Sequence, residues 1–143
     1  MGHREIGVAV IFDADGALLL QRRDLFPHIL HPGKISLFGG HREPEDATYL
    51  ACTRRELREE LTYDFEPEQL EHFLHLDGSD PDIPGGTIKG DVFIIRDVSH
   101  ADIIVTEGSL LVIRPEDLHA HRSELMPVAD FVLARLWGWT APT

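Results

Sequence analysis

Leu37-Phe38-Gly39-Gly40-His41-Arg42-Glu43 leads, through Pro44-Glu45-Asp46, into an unbroken run from Ala47 to Leu61 that carries Arg55-Glu56-Leu57-Arg58-Glu59-Glu60. The run is rich in good helix formers and free of Pro and Gly, so it predicts a helix with Asp46 or Thr48 as N-cap. With Leu57 as zero on a wheel of about 100° per residue, Leu50 and Leu61 fall within about 40° of it and mark a buried stripe. Glu60, Glu56 and Glu59 lie at about −60°, −100° and −160°, so three carboxylates share one arc beside that stripe. Like charges three and four residues apart repel by a few tenths of a kcal/mol each. A solvated Arg/Glu face, with Arg54, Arg55 and Arg58 interleaved, is the plain reading of such a helix alone. A short strand at Ile35 to Phe38, ended by Gly39-Gly40, shifts the balance, because glycines let backbone carbonyls approach a cation and hard Mg²⁺ or Mn²⁺ prefers oxygen ligands.

Outward from this centre, Ile6 to Phe12 and Ala17 to Arg22 read as a hairpin around Asp13-Ala14-Asp15-Gly16. Residues Arg23 to Lys34 read as a loop, in which Phe26, His28, His31 and Lys34 are mostly ordinary loop residues. Beyond the helix, Pro67 to Leu70 connects to a strand at Glu71 to Leu76, and Asp77 to Gly86 forms a polar, breaker-rich loop that flanks a site or tips a hairpin. Strands follow at Gly90 to Arg96 and Leu110 to Ile113, then a short helix from Pro115 and a final one at Pro127 to Trp137. Few helices among many strands predict a mixed α/β fold.

The chain has 143 residues, suited to one domain over 1–143. Lys plus Arg at 13 against Asp plus Glu at 25 gives a net charge of −12, which argues against nucleic-acid or anionic-membrane partners. A polyanionic substrate must then be met by local Arg/Lys or by metal cations. The apolar runs are far shorter than the roughly 20 residues that span a bilayer. The lone Cys52 suits a reducing cytoplasm, the expected compartment, and reads as a packed thiol. His72, His75, His119 and His121 lack the Cys-rich context of a structural zinc site and read as surface. Trp137 and Trp139 flank Gly138 and either anchor the last helix or pack at a dimer contact.

Gly40, followed by Arg55-Glu56-Leu57-Arg58-Glu59-Glu60, resembles the signature of the Nudix hydrolases, a glycine and a distant Glu ahead of Arg-Glu-aliphatic-any-Glu-Glu. Leu18-Leu19-Leu20-Gln21-Arg22-Arg23 and Leu37-Phe38-Gly39-Gly40-His41 are also similar to family sequence around that box. The spacing from Gly40 to Arg55 is one residue longer than the pattern. Ala47 stands where the family has Glu, with Asp46 one position out of register, and Thr62-Tyr63 replace a Gly and an aliphatic residue.

The resemblance implies an α/β fold, the Nudix-type α/β/α sandwich with a mixed sheet, and a divalent-metal pyrophosphohydrolase acting on a nucleoside diphosphate linked to another group. By position, Glu56, Glu59 and Glu60 would bind Mg²⁺ or Mn²⁺, Gly39 would offer a carbonyl, and Arg55 would orient the carboxylates. Glu56 would serve as base, although in some relatives the base lies outside the box, Glu59 would belong with it to the catalytic set, and Gly40 and His41 would border the substrate. Glu107, ahead of the strand at Leu110, is a further candidate metal ligand, and Asp91 a weaker one. Arg22 and Arg23 alternate sides of a strand, so one is expected to grip phosphate. The candidate substrates are nucleotide sugars, modified nucleoside triphosphates and dinucleotides, and a homodimer is a further expectation from the family. A Nudix-fold module that senses nucleotide without hydrolysis is the alternative, motivated by Ala47, Thr62 and the added residue. An isomerase of isoprenoid diphosphates is a third, for which Cys52 is poorly placed.

Overall fold

The computed structural model describes residues 2–138. The central strand of its sheet, β1 (His3–Asp13), is apolar on both faces, the pattern of a strand covered by helices above and below. Ile6, Val8, Val10 and Phe12 point to one side, and Ala9 and Ile11 to the other. β1 runs antiparallel to β2 (Leu18–Arg22) and β4 (Phe38–His41), and parallel to β6 (Thr87–Val98). β3 (Ile35–Ser36) and β7 (Ser109–Ile113) pair with β2, and β5 (Glu71–Ser79) lies outside β6, completing a mixed seven-stranded sheet.

Helix α1 (Tyr49–Leu61) covers one face, burying Leu57 and Leu61 against Ile11, Leu19, Phe38 and Ile95. Helix α2 (Pro127–Trp137) covers the other, burying Val128, Val132 and Leu133 against Val10, Leu20, Val92 and Ile94. The result is an α/β/α sandwich with two apolar cores separated by the sheet. Each fully buried leucine contributes about 1.5–3 kcal/mol, so Leu57 and Leu61 alone fix which face of α1 turns inward and leave its acids at the margin.

Several boundaries differ from the sequence expectation. α1 begins at Tyr49, two residues later than expected, and of the two cap candidates Thr48 accepts from Ala51 N at 3.0 Å. Asp46 is engaged elsewhere. Gly39 and Gly40 do not end a strand but lie inside β4, opposite Val8 and Gly7 of β1. β5 and β6 extend inward, leaving only Asp80 to Gly86 as the hairpin tip. That tip is anchored: Arg4 Nε and Nη2 donate to Asp80 at 2.7 and 2.9 Å and Nη2 to Asp82 at 3.1 Å. Val128 N in turn donates to Asp82 Oδ1 at 2.9 Å, tying the tip to the first turn of α2. The expected helix after Pro115 is 3₁₀, Pro115–Glu124. Among the described residues no helix is long and apolar enough to cross a membrane.

Candidate active site

Arg55, in the middle of α1, faces back toward the loop that precedes the helix. Its Nη2 donates to Asp46 Oδ2 at 2.8 Å and its Nε to Asp46 Oδ1 at 3.0 Å, a two-pronged pair, and Nη2 also reaches His41 O at 2.9 Å. Asp46 Oδ2 accepts Glu43 N at 2.9 Å as well, and Asp46 is 4% exposed. The Arg55 hydrogen bonds hold the Asp46 carboxyl below the usual Asp range. The same guanidinium contacts Glu56 at 3.1 Å and Glu59 at 3.3 Å through Nη1. One cation therefore fixes the loop and orients two of the three acids.

Of the three helix acids, Glu60 is the most deeply placed. It is 6% exposed, accepts Gly39 N at 2.8 Å, and burial pushes its pKa up to about 8, with Glu56 and Glu107 adding to the rise. Glu56 is half-buried and its pKa is also raised, first by burial and then by Glu59 and Glu107, against the pull of Arg55. Its carboxylate lies against Gly40, where an added Cβ would come within 2.6 Å of Oε2, so no other residue fits at Gly40 without displacing the acid. Gly39 takes φ 135°, a backbone geometry open to glycine, which aims its N–H at Glu60. Glu56, Glu60 and Glu107 feel one another's charge, and all offer hard oxygen atoms. Their donor chemistry fits Mg²⁺ or Mn²⁺, and a cation there would relieve the raised pKa values. Among the described residues no three acidic, His or Cys side chains converge on one point, and Glu59 is turned to Arg55.

Two cavities open beside these acids. One, of about 140 Å³, has an apolar floor including Ile6, Val8, Leu37, Met126 and Val128, with Gly39, Gly40 and His41 at its rim. The other, of about 230 Å³, is lined by Gln21, Arg23, Asp24, Phe26, Ile29, Glu107 and Gly108. Arg23 lines both. Its Nε is the one buried side-chain polar atom without a hydrogen-bond partner among the described residues. Arg22 points away: its Nη1 donates to Gly33 O at 3.1 Å and to Glu124 Oε1 at 2.9 Å, so it braces the loop over 23–34 and lines neither cavity. His41 borders the apolar cavity, and burial together with the Arg4 charge lowers its pKa. A cavity of about 760 Å³ lies farther off, along Phe131, Ala134 and Arg135 of α2, where none of the acids named above reaches it.

Other candidates separate from this centre. Asp91 on β6 lies against His72 Nε2 at 3.1 Å and His75 Nδ1 at 2.7 Å on the edge strand β5. Cys52 is fully buried, burial raises its pKa to about 12, and its Sγ points to Gly40 O at 3.6 Å, as a packed thiol would. Trp137 packs on Phe12 at 6.1 Å and anchors α2, while Trp139 lies outside the described residues. Asp24, Gln21 and the Arg4–Asp82 pair border the cavities without having stood out in the sequence. Asp24 directly follows Arg23, and that adjacency to a phosphate candidate was the one available signal for it.

No curated protein matches the chain in sequence. Among solved structures, the chain is similar to a MutT protein from Methanosarcina mazei Go1, at 17% identity and TM-score 0.74, covering 98% of this chain and 97% of that one. It is similar to the NUDIX domain of Shewanella oneidensis NrtR complexed with ADP ribose, at 16% identity and TM-score 0.73, covering 96% and 88%. A third is a bifunctional NMN adenylyltransferase/ADP ribose pyrophosphatase from Francisella tularensis, complexed with AMP and Mn ion, at 17% identity and TM-score 0.71, covering 95% of this chain and 41% of that one. The NUDIX domain model matches residues 1–143. With the acid-bearing helix, its arginine and the paired glycines assembled on this sandwich, the chain belongs to the Nudix family.

Proposed function

We propose that the protein is a divalent-metal-dependent pyrophosphohydrolase that cleaves a nucleoside diphosphate linked to another group, a nucleotide sugar or a modified nucleoside triphosphate. The observation that carries this reading is Arg23: a buried donor without a partner, lining both cavities, beside the pair Glu56 and Glu60. A bridging diphosphate supplies acceptors for such a donor, and flanking cavities suit its two substituents. Among the structural neighbours, one was solved with ADP ribose and another, an ADP ribose pyrophosphatase, with AMP and Mn ion.

In this reading Glu56, Glu59, Glu60, the Gly39 carbonyl and Glu107 are the groups that would hold Mg²⁺ or Mn²⁺. A cation bound there would neutralise charge at the phosphate oxygens and lower the pKa of a water. Arg55 keeps Glu56 and the loop in register, Arg23 grips the diphosphate, and Gly40 and His41 border the bound nucleotide. Glu56 takes the proton of the attacking water, with Glu59 beside it in the catalytic set. Water oxygen bonds to one phosphorus, the bridging P–O bond breaks, and the bridging oxygen leaves on the other phosphate. The substrate is a small molecule and the compartment the cytoplasm, one folded domain sufficing for the chemistry. The sensing alternative drew on Ala47, Thr62 and the added residue, and the Asp46–Arg55 pair answers the first of these, since Asp46 supplies a carboxylate to Arg55 from one position away.

The test is phosphate or monophosphate release from nucleoside triphosphates, nucleotide sugars and dinucleotides with Mg²⁺, Mn²⁺ or EDTA. Turnover that EDTA abolishes supports the reading. Tight nucleotide binding with no release of product would replace it with the sensor.

A further inference from the structure

Glu107 lies in the turn ahead of β7, outside any strand or helix, yet the peptide unit that follows it is held at both edges. Gln21 Nε2 donates to Glu107 O at 3.0 Å, and Gly108 N donates to Asp24 Oδ2 at 3.1 Å. The carbonyl oxygen of residue 107 and the N–H of residue 108 sit on opposite edges of one planar group. A plane gripped on both edges resists turning, and its orientation sets the backbone from which the Glu107 side chain leaves. Gln21 is buried in β2, and its partner is a carbonyl, which only accepts, so the amide is fixed with Nε2 toward Glu107. Gly108 backs onto Arg22 O, where an added Cβ would collide. Gln21, Arg22 and Asp24 thus all seat the turn, and the residue among them is Arg23, with its unsatisfied Nε.

The other side of the turn is tied to the acid helix. Thr106 N donates to Glu60 O at 2.9 Å and Thr106 Oγ1 to Glu59 O at 2.7 Å. Glu107 is suspended between the end of β2 and the last turn of α1, near enough for its charge to raise the pKa of both Glu56 and Glu60. A surface turn that only joins two elements can leave its peptide groups to water. Here a buried amide and a carboxylate hold them instead.

Resting on the pyrophosphohydrolase reading above, in which Glu107 is a metal ligand, we infer that Gln21 and Asp24 are positioning residues that clamp the 107–108 peptide and aim the Glu107 carboxylate toward Glu56 and Glu60. Neither touches the reacting atoms. Because the clamp comes from residues on either side of Arg23, the donor that meets the diphosphate and the acid that meets the cation are kept in one fixed relation. Groups that orient a metal ligand contribute about ten- to a hundredfold in metal affinity or activity.

The experiment measures Mn²⁺ affinity of the nucleotide-free protein, from the paramagnetic resonance signal of the free ion. It compares the wild type, Gln21→Met, Asp24→Ala, Asp24→Asn and Glu107→Gln, and the two doubles that combine Glu107→Gln with Gln21→Met or with Asp24→Ala, each checked for folding by its melting temperature. Gln21→Met and Asp24→Ala are each expected to weaken Mn²⁺ binding about tenfold. Asp24→Asn keeps an oxygen for Gly108 N and is expected to stay within about twofold of the wild type. In the Glu107→Gln background the clamp variants are expected to cost less than about a further twofold, since a clamp that acts through Glu107 has nothing left to aim. Losses that simply add to that of Glu107→Gln overturn the inference, and so does wild-type affinity in both clamp variants. An Asp24→Asn as weak as Asp24→Ala overturns the part given to the Asp24 hydrogen bond. Equal Mn²⁺ binding by the wild type and Glu107→Gln removes Glu107 from the metal and the inference with it. If Gln21→Met does not fold, the Asp24 arm of the cycle decides. The pyrophosphohydrolase reading is judged apart, by EDTA-sensitive turnover of the wild type, whichever way the cycle closes.

Discussion

Arg55 holds Asp46 through two parallel contacts of 2.8 and 3.0 Å, and so pins the loop after β4 to the helix that carries the acids. Because Asp46 is 4% exposed and also receives Glu43 N, removing its carboxylate strands both a backbone donor and a guanidinium. Asp46→Ala is expected to cost about 3 kcal/mol, the scale for breaking a buried pair by deleting one partner, with loss of turnover as Glu56 and Glu59 lose their anchor. Ala47→Glu alone is expected to change stability by less than about 0.5 kcal/mol, since Ala47 is exposed. Urea denaturation of the two variants checks this. A mild Asp46→Ala would mean that Arg55 does not depend on Asp46.

Glu60 is held in the folded protein at a cost to its ionised form. Its pKa of about 8 lies above the ordinary Glu value, so the stability tied to its bound proton is present below about pH 4.5 and fades as pH rises through about 8. Glu60→Gln keeps an oxygen for Gly39 N and deletes the ionisation. Without metal, the variant is expected to melt higher than wild type at pH 8–9 and to lose that advantage near pH 5. With metal, it is expected to lose at least about a hundredfold in turnover, the scale of removing a transition-state charge stabiliser. Unchanged turnover would remove Glu60 from the site.

The acid helix was legible because a 3.6-residue period and a Pro- and Gly-free run are local signals, and Leu57 with Leu61 set the register that the structure keeps. Gly39 and Gly40 misled as strand breakers. They sit in β4 because Gly40 abuts the Glu56 carboxylate, a contact sixteen residues along the chain that composition does not encode. Strand alternation placed one of Arg22 and Arg23 toward the cleft without saying which. That choice follows from Glu124, whose carboxylate captures Arg22 from the far end of the chain. Asp82 belonged to a breaker-rich loop in sequence, and only its meeting with Arg4, 78 residues away, makes it a fixed wall.

Asp80 makes the hairpin tip sensitive to acid. Its side chain is fully buried beside Arg4, and although burial opposes ionisation, the hydrogen bonds and charge of Arg4 hold its pKa below the ordinary 3.8. A depressed carboxyl adds stability that is present above the unfolded value and is lost as pH falls through the folded one. Wild type is therefore expected to lose stability below about pH 4, and Asp80→Asn to be weaker by about 2–4 kcal/mol at pH 7 with a flatter acid limb. Chemical denaturation at pH 3 and pH 7 reads the difference, and parallel acid limbs would show that Asp80 is not the group responsible.

Thr62 closes α1 in a conformation that its side chain resists. The residue sits at φ 56°, ψ 35°, where its N–H reaches Arg58 O and terminates the helix. A left-handed β-branched residue is disfavoured by about 1–2 kcal/mol, and Gly or Asn is the usual occupant of such a cap. Part of that cost is offset because Thr62 Oγ1 donates to Ile104 O at 3.1 Å, joining the end of α1 to the segment before β7 that carries Glu107. The two effects separate by substitution. Thr62→Asn relaxes the backbone while keeping a polar side chain, and is expected to raise stability by about 0.5 kcal/mol. Thr62→Val keeps the strain, loses the hydrogen bond, and is expected to lower stability by about 1 kcal/mol. Melting temperatures of the two variants moving in opposite directions would establish both effects. If Thr62→Val is neutral, the Thr62 Oγ1 contact contributes nothing, and the link from α1 to the segment carrying Glu107 rests on Ile104 N donating to Leu61 O and Thr106 N to Glu60 O, both at 2.9 Å, and on Thr106 Oγ1 donating to Glu59 O at 2.7 Å.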